Sequence, residues 1–250
     1  MTVGYDHIDT KTCKDLQISV GNTPGVLTET TAELAISLML STTRRLPEAA
    51  ASVKEGEWGC WRTEWMLGKD IYQSVIGIVG FGAIGQAVAK RLVPFQCKKI
   101  LVSQPRKPSD EKLDLGFGVK AEYVSFDELL KESDIISLHC PLNKDTKNLF
   151  NANSFAKMKK NAVFINTSRG PVVDQDALYN ALVDGKIWAS GLDVTVPEPL
   201  SVDSPLLGLP NCLVIPHIGS ASESTRNNMA ELAAKNLIAG VYDRELVHCV

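Results

Sequence analysis

Residues 75–92 read VIGIVGFGAIGQAVAKRL, and the reading of this stretch decides the fold. It opens as an apolar run of strand length, breaks into Gly80-Phe81-Gly82-Ala83-Ile84-Gly85, and resumes with apolar residues at helical spacing. A strand, a glycine-rich turn and a helix in that order open a dinucleotide-binding βαβ unit. Gly80 permits the tight turn, Gly82 lets the backbone approach a pyrophosphate, and Gly85 lets helix and strand pack closely. Unpaired N–H groups and the dipole at the helix start favour an anion there.

The same unit predicts an acidic residue at the end of its second strand, placed for the ribose hydroxyls of NAD. Residues 100–107 read ILVSQPRK instead. An acid would repel a ribose 2′-phosphate, whereas Ser103 can donate a hydrogen bond to it and Arg106 can form a fork of two. The expected cofactor is NADPH in preference to NADH.

Working outward, short β-branched runs alternate with helical patterns. Strands are predicted at 74–80, 98–103, 121–125, 134–140, 161–168, 187–194 and 212–217, several of them apolar on both faces as in a covered parallel sheet. Helices are predicted over Gln86–Leu92, Phe126–Glu132, Ser154–Lys160 and Gln175–Asp184, the last closed by Gly185. The fold class is α/β: a doubly wound, Rossmann-type parallel sheet forming a cofactor domain over 27–218. Both ends depart from the alternation. Thr28–Leu46 reads as one long apolar helix opened by a Thr and Glu capping-box pattern, followed by a segment holding Trp58, Trp61 and Trp65, and a last helix is predicted over Glu223–Gly240.

Composition narrows the function classes. A formal net charge of −3 over 250 residues gives no sign of a nucleic-acid partner or a membrane surface. No apolar run approaches the ~20 residues of a membrane span. The six cysteines stand singly, without metal-ligand spacing, so free thiols, no metal site and a cytoplasmic address are expected.

Three charged or titratable residues fall where strands of such a sheet end: Arg169 in INTSRGPVVD, Glu198 in LDVTVPEPL and His217 in VIPHIGSA. Together they offer a cation for a carboxylate or carbonyl, an imidazole able to carry a proton near neutral pH, and a carboxylate to hold that imidazole charged. The set fits reduction of a 2-oxo acid.

GIVGFGAIG, HCPLNKDTKNLF, INTSRGPVVDQDAL, GLDVTVPEPL and PHIGSA resemble, block by block, the D-isomer-specific 2-hydroxyacid dehydrogenases. The resemblance implies hydride transfer from NADPH to a small 2-oxo acid such as glyoxylate or hydroxypyruvate, giving glycolate or D-glycerate. It implies His217 as the acid/base, Glu198 as its partner and Arg169 as the substrate anchor. Asp193 would lie by the nicotinamide amide, and Val3 and Gly4 would offer backbone N–H groups to the substrate carboxylate. Ala83, Ile84, Cys140, Pro141, Thr167 and Gly219 complete the expected cofactor contacts. Trp61 would sit in a loop that forms a homodimer and approaches the partner's active site. Residues 1–26 and 219–250 would be parts of a flavodoxin-like substrate domain whose first half precedes MTVGYDHID in family members, and a chain beginning there is expected to bind cofactor but turn over poorly. Two rivals stay open: an NAD-dependent relative of other specificity, and a cofactor-sensing interaction protein of this fold.

Overall fold

The computed structural model describes residues 2–105, 112–115, 120–242 and 244–250. In chain order the elements are α1 (Thr10–Asp15), α2 (Thr28–Thr43), α3 (Leu46–Lys54), β1 (Val75–Val79), α4 (Ala83–Leu92), β2 (Lys99–Ser103), β3 (Lys112–Asp114) and β4 (Lys120–Tyr123). They continue with α5 (Phe126–Glu132), β5 (Ile135–Leu138), α6 (Ala152–Lys157), β6 (Val163–Asn166), α7 (Gln175–Val183), β7 (Ala189–Leu192), β8 (Cys212–Val214) and α8 (Glu223–Val241). The strands form one sheet in the order β3-β4-β2-β1-β5-β6-β7-β8, parallel throughout except for β3, which pairs antiparallel with β4 at the edge. The order runs outward in both directions from β1, as in a doubly wound fold.

Alternation along each strand divides the core between the two faces of the sheet. Ile76 and Ile78 of β1, Ile100 and Val102 of β2 and Ile165 of β6 point to one face, where Ala35, Ile36 and Met39 of α2 and Val88 and Leu92 of α4 cover them. Val79, Leu101, Ile136, Leu138 and Phe164 point to the other, under α5, α6 and α7. There Phe150 packs against Phe164 with ring centroids 4.8 Å apart and edge-on to Phe126 at 5.3 Å. Burial on both faces is why these strands read as unbroken apolar runs.

Two sequence expectations about α2 are corrected. Its N-cap is Leu27, with no side-chain cap bond. The chain enters through a turn at Gly25 (φ +82°), whose carbonyl receives the Thr28 N–H at 3.2 Å, so the Thr and Glu pattern is not a capping box. Glu29 turns away to an ion pair with Arg91 of α4 at 2.6 Å. The helix also ends at Thr43 rather than Leu46. Pro47 has no N–H to give to a continuing helix, and Arg45 adopts a left-handed conformation (φ +53°) before α3 begins.

The predicted strands overreach the ladders by up to three residues at their ends, and α4 starts three residues before the predicted Gln86. The last predicted strand, 212–217, ends at Val214 ahead of Pro216. The two ends of the chain meet. Val250 N–H donates to Val20 O at 2.9 Å, Gly21 bridges Cys249, and Asn236 of α8 donates to Asn22 O at 3.0 Å.

Candidate active site

Register places the chemistry. Ser103, Val79, Leu138, Asn166, Leu192 and Val214 lie side by side across β2, β1, β5, β6, β7 and β8. The residues that follow them therefore leave the sheet along one edge: Gly80 after β1, His139 and Cys140 after β5, Thr167 to Arg169 after β6, Asp193 after β7 and His217 after β8. In open α/β sheets this carboxyl edge is where ligands bind.

Of the residues singled out in the sequence, Val3, Gly4, Ile84, Cys140, Pro141, Thr167, Arg169, Asp193, His217 and Gly219 line one cleft of ≈ 530 Å³. Glu198 stands behind His217 in an adjoining hollow of ≈ 540 Å³ that shares Arg169 and His217 with the cleft. A larger hollow of ≈ 700 Å³, bordered by Arg45, Glu48, Trp188 and Leu213, holds none of the predicted residues, and chemistry rather than volume picks the site. Trp61 is not brought to the cleft; it is 84 % exposed. Arg106 lies outside the described residues.

The glycine turn has the predicted form. Gly80 takes φ +88°, and a Cβ on it would stand 2.6 Å from the Cys140 backbone nitrogen. A Cβ on Gly85 would collide with the Gly80 carbonyl oxygen, so α4 packs directly on the turn. A Cβ on Gly82, the N-cap of α4, would meet nothing within 4 Å. The N–H groups of Ala83, Ile84 and Gly85 have no partner inside their helix. The Thr167 Oγ1 and His139 Nδ1 atoms, on residues lining the cleft, are buried without a partner. An open cradle of N–H donors beside polar groups that lack partners fits a dinucleotide.

His217 Nδ1 lies 2.8 Å from Glu198 Oε2, while Glu198 Oε1 accepts from the Thr195 N–H at 3.0 Å. Both carboxylate oxygens are thus held, and the imidazole is oriented by the nitrogen it commits to Glu198. His217 sits in the left-handed region at φ +50°, a conformation that a non-glycine residue keeps only when its surroundings enforce it. Asp193 does so. Its backbone oxygen accepts the His217 N–H at 2.9 Å, and its carboxylate takes the N–H groups of Ile218 at 2.7 Å and Gly219 at 2.9 Å. Burial pushes the Asp193 carboxyl up from its ordinary pKa, against the pull of the Ile218 N–H. Asp193, expected from the sequence to lie by the nicotinamide amide, lines the cleft and also anchors this loop, each of its carboxylate oxygens accepting a backbone N–H.

Cys140 is buried, and burial lifts its pKa to about 11, so it packs as a thiol. Burial pushes His139 down from 6.5 to about 4, with Nε2 2.9 Å from Ser137 Oγ. An unfolded chain takes up a proton near the upper value and the folded protein only near the lower one. Stability is therefore expected to fall as pH drops through this window, by on the order of 2–3 kcal/mol. Urea unfolding at about pH 7 and about pH 4.5 checks this. His139→Gln should lose less stability than the wild type between the two, and an equal loss would refute the assignment.

Asp6 was missed. Its Oδ1 accepts from Arg169 Nε at 3.0 Å across a separation of 163 residues, and no local pattern marks such a pair. Arg226 of α8 also lines the cleft and was not singled out in the sequence.

Known proteins resemble this chain over nearly its whole length. Residues 36–219 match the family model described as D-isomer specific 2-hydroxyacid dehydrogenase, NAD binding domain. The chain is 52 % identical over 241 residues to the human glyoxylate reductase/hydroxypyruvate reductase, covering 96 % of this chain and 72 % of that protein. Among solved structures, a Thermus thermophilus protein superposes with a TM-score of 0.91 at 42 % identity, over 100 % of this chain and 76 % of its own. An NADPH-dependent glyoxylate/hydroxypyruvate reductase from Sinorhizobium meliloti, in complex with NADP and malonate, superposes with a TM-score of 0.88 at 34 % identity, over 100 % and 75 %. With its glycine turn, its parallel sheet and the His217–Glu198 pair at one sheet edge, the chain belongs to the D-isomer-specific 2-hydroxyacid dehydrogenase family.

Proposed function

We propose that the protein reduces small 2-oxo acids, glyoxylate and hydroxypyruvate foremost, and uses NADPH in preference to NADH. The observation that carries this reading is the pairing of His217 with Glu198 at 2.8 Å on a cleft that also presents the Arg169 guanidinium. When bound, the reduced nicotinamide supplies hydride to the substrate's carbonyl carbon.

The chain's own residues do the rest. Arg169 neutralises the substrate carboxylate and orients the carbonyl, a positioning contribution. Val3 and Gly4, both on the cleft wall, offer backbone N–H groups to the same carboxylate. With Nδ1 committed to Glu198, the protonated His217 has its Nε2–H free to give to the carbonyl oxygen, which stays on the carbon as the hydroxyl of the 2-hydroxy acid. Glu198 orients the ring through Nδ1, and the Thr195 N–H keeps that carboxylate in place. The open N-terminus of α4 holds the cofactor pyrophosphate.

The relatives' names support the substrate class, and the test is direct: loss of reduced-nicotinamide absorbance with each acid, using NADPH and NADH in turn. Absence of turnover with both acids, in the chain as given and in a version extended by the upstream lobe of a relative, overturns the reading.

Cofactor preference rests on the end of β2, where Ser103 stands in place of an acid and its carbonyl accepts the Gly80 N–H at 2.9 Å. Arg106→Ala is expected to weaken NADPH by about 1.5–3 kcal/mol, the range for a bond to a charged group, with NADH nearly unaffected. Ser103→Asp should reverse the preference by repelling the 2′-phosphate. Fluorescence titration of both cofactors decides it, and equal losses for the two sink the idea.

We also read the chain as a homodimer in a reducing cytoplasm. The exposed Trp58 and Trp61 support a contact between copies, and six free cysteines suit that compartment. Residues 1–26 and 219–250, joined where the chain ends meet, are proposed as one substrate-side unit beside the cofactor domain of 27–218.

A further inference from the structure

The Arg169 side chain is held at both ends of its guanidinium. Nε donates to Asp6 Oδ1 at 3.0 Å, and Nη1 donates to the Ser168 backbone oxygen at 2.8 Å. Nη2 lies against Gly4 so closely that a Cβ on Gly4 would strike it, and would stand 2.8 Å from Asp6 Oδ1. Only glycine at position 4 lets the pair form beside that backbone. Both side chains are about three-quarters covered, with 25 % of Arg169 and 24 % of Asp6 exposed. The pair stands between the cleft and the hollow behind it, since Asp6, Arg169, His217, Thr2 and Leu142 line both.

An arginine side chain is long and loses much rotamer freedom when its head is fixed. A ligand that had to order it would bind more weakly for that reason. Asp6 and Ser168 do the ordering in advance. They occupy Nε and one donor of Nη1, and a guanidinium has donors to spare on Nη1 and Nη2 for an incoming carboxylate. Asp6 Oδ1 is committed to Arg169 Nε, so Asp6 acts through Arg169.

The geometry points to Asp6 as a positioning residue of the substrate site, one that aims Arg169 at the carboxylate of a 2-oxo acid. This rests on the reading that Arg169 receives that carboxylate. A rival role has opposite consequences: if Asp6 merely competed for the guanidinium, removing it would strengthen carboxylate binding.

Oxamate, an unreactive carboxylate isosteric with a small 2-oxo acid, separates the two without relying on turnover. Its affinity is measured by fluorescence in the presence of saturating NADPH for the wild type, Asp6→Ala and Asp6→Asn, with NADPH affinity and thermal midpoint as checks on the fold. Asp6→Ala is expected to weaken oxamate about tenfold or more, the effect of losing preorganisation, with NADPH affinity and midpoint unchanged. Asp6→Asn keeps an acceptor for Nε and should recover most of the loss. In steady state, Asp6→Ala should raise KM far more than it lowers kcat. Unchanged or tighter oxamate binding in Asp6→Ala overturns the role, as does an equal loss of NADPH affinity. Oxamate binding by a wild-type protein that oxidises no NADPH with glyoxylate, even when extended by the upstream lobe of a relative, would overturn the reductase reading alone.

Discussion

In a version of the chain extended by the complete lobe of a relative, replacing His217 by Gln is expected to lower kcat by about 10²–10⁴-fold, the usual contribution of a general acid, while NADPH affinity stays near the wild-type value. The Gln amide can still donate a hydrogen bond to Glu198 but has no proton to release at neutral pH. Because position 217 holds φ +50°, His217→Asn is the companion variant, since asparagine tolerates left-handed backbone better than most residues. Both variants should keep the loop that Asp193 anchors through Ile218 and Gly219. Steady-state rates beside cofactor titrations read the two effects separately. A variant that retains turnover within about tenfold of the wild type would remove His217 as proton donor.

The second large effect lies in the glycine turn, where two neighbouring substitutions should behave in opposite ways. Gly80→Ala puts a Cβ on a residue at φ +88° and within 2.6 Å of the Cys140 backbone. The left-handed conformation costs about 1–2 kcal/mol for an L-residue, and the contact is with backbone that has no rotamer to change. A total loss of about 2–4 kcal/mol of stability is expected, with impaired cofactor binding because the turn must shift. Gly82→Ala meets nothing within 4 Å and has an ordinary φ of −72°. Its stability should stay within about 0.5 kcal/mol of wild type, yet its methyl group would stand where the pyrophosphate approaches, so NADPH should weaken at least tenfold, by roughly 1.4 kcal/mol. Urea unfolding and cofactor titration of the pair test this together. A destabilised Gly82→Ala with normal NADPH affinity would show that the open face of the turn is not the phosphate site.

Much of the cofactor half was legible in the chain. Gly80 and Gly82 occupy the turn between β1 and α4 and Gly85 the first turn of that helix, α5 spans the predicted Phe126–Glu132, and Gly185 takes φ +62° after α7. These are local matters: periodicity within one element and the steric freedom of single residues. Where a local pattern misled, a distant partner had won. The Thr and Glu pattern opening residues 28–46 had the form of a capping box, but Arg91 on another helix pairs with both Glu29 and Glu33. Short elements such as β3 went unseen because three residues carry no readable period.

The site residues divide along the same line. Arg169, Glu198 and His217 could be picked out singly, because each follows an apolar run that had to end at a sheet edge. Sequence alone determined the class of fold, the cofactor turn and the residue types available for acid/base chemistry. The tertiary structure decided that His217 and Glu198 meet at 2.8 Å, that Asp193 clamps the loop between them and the sheet, and that Asp6 reaches Arg169 from 163 residues away. Such pairs are set by which strands lie side by side and in what register, and register is a property of the whole hydrogen-bonded sheet rather than of any segment within it.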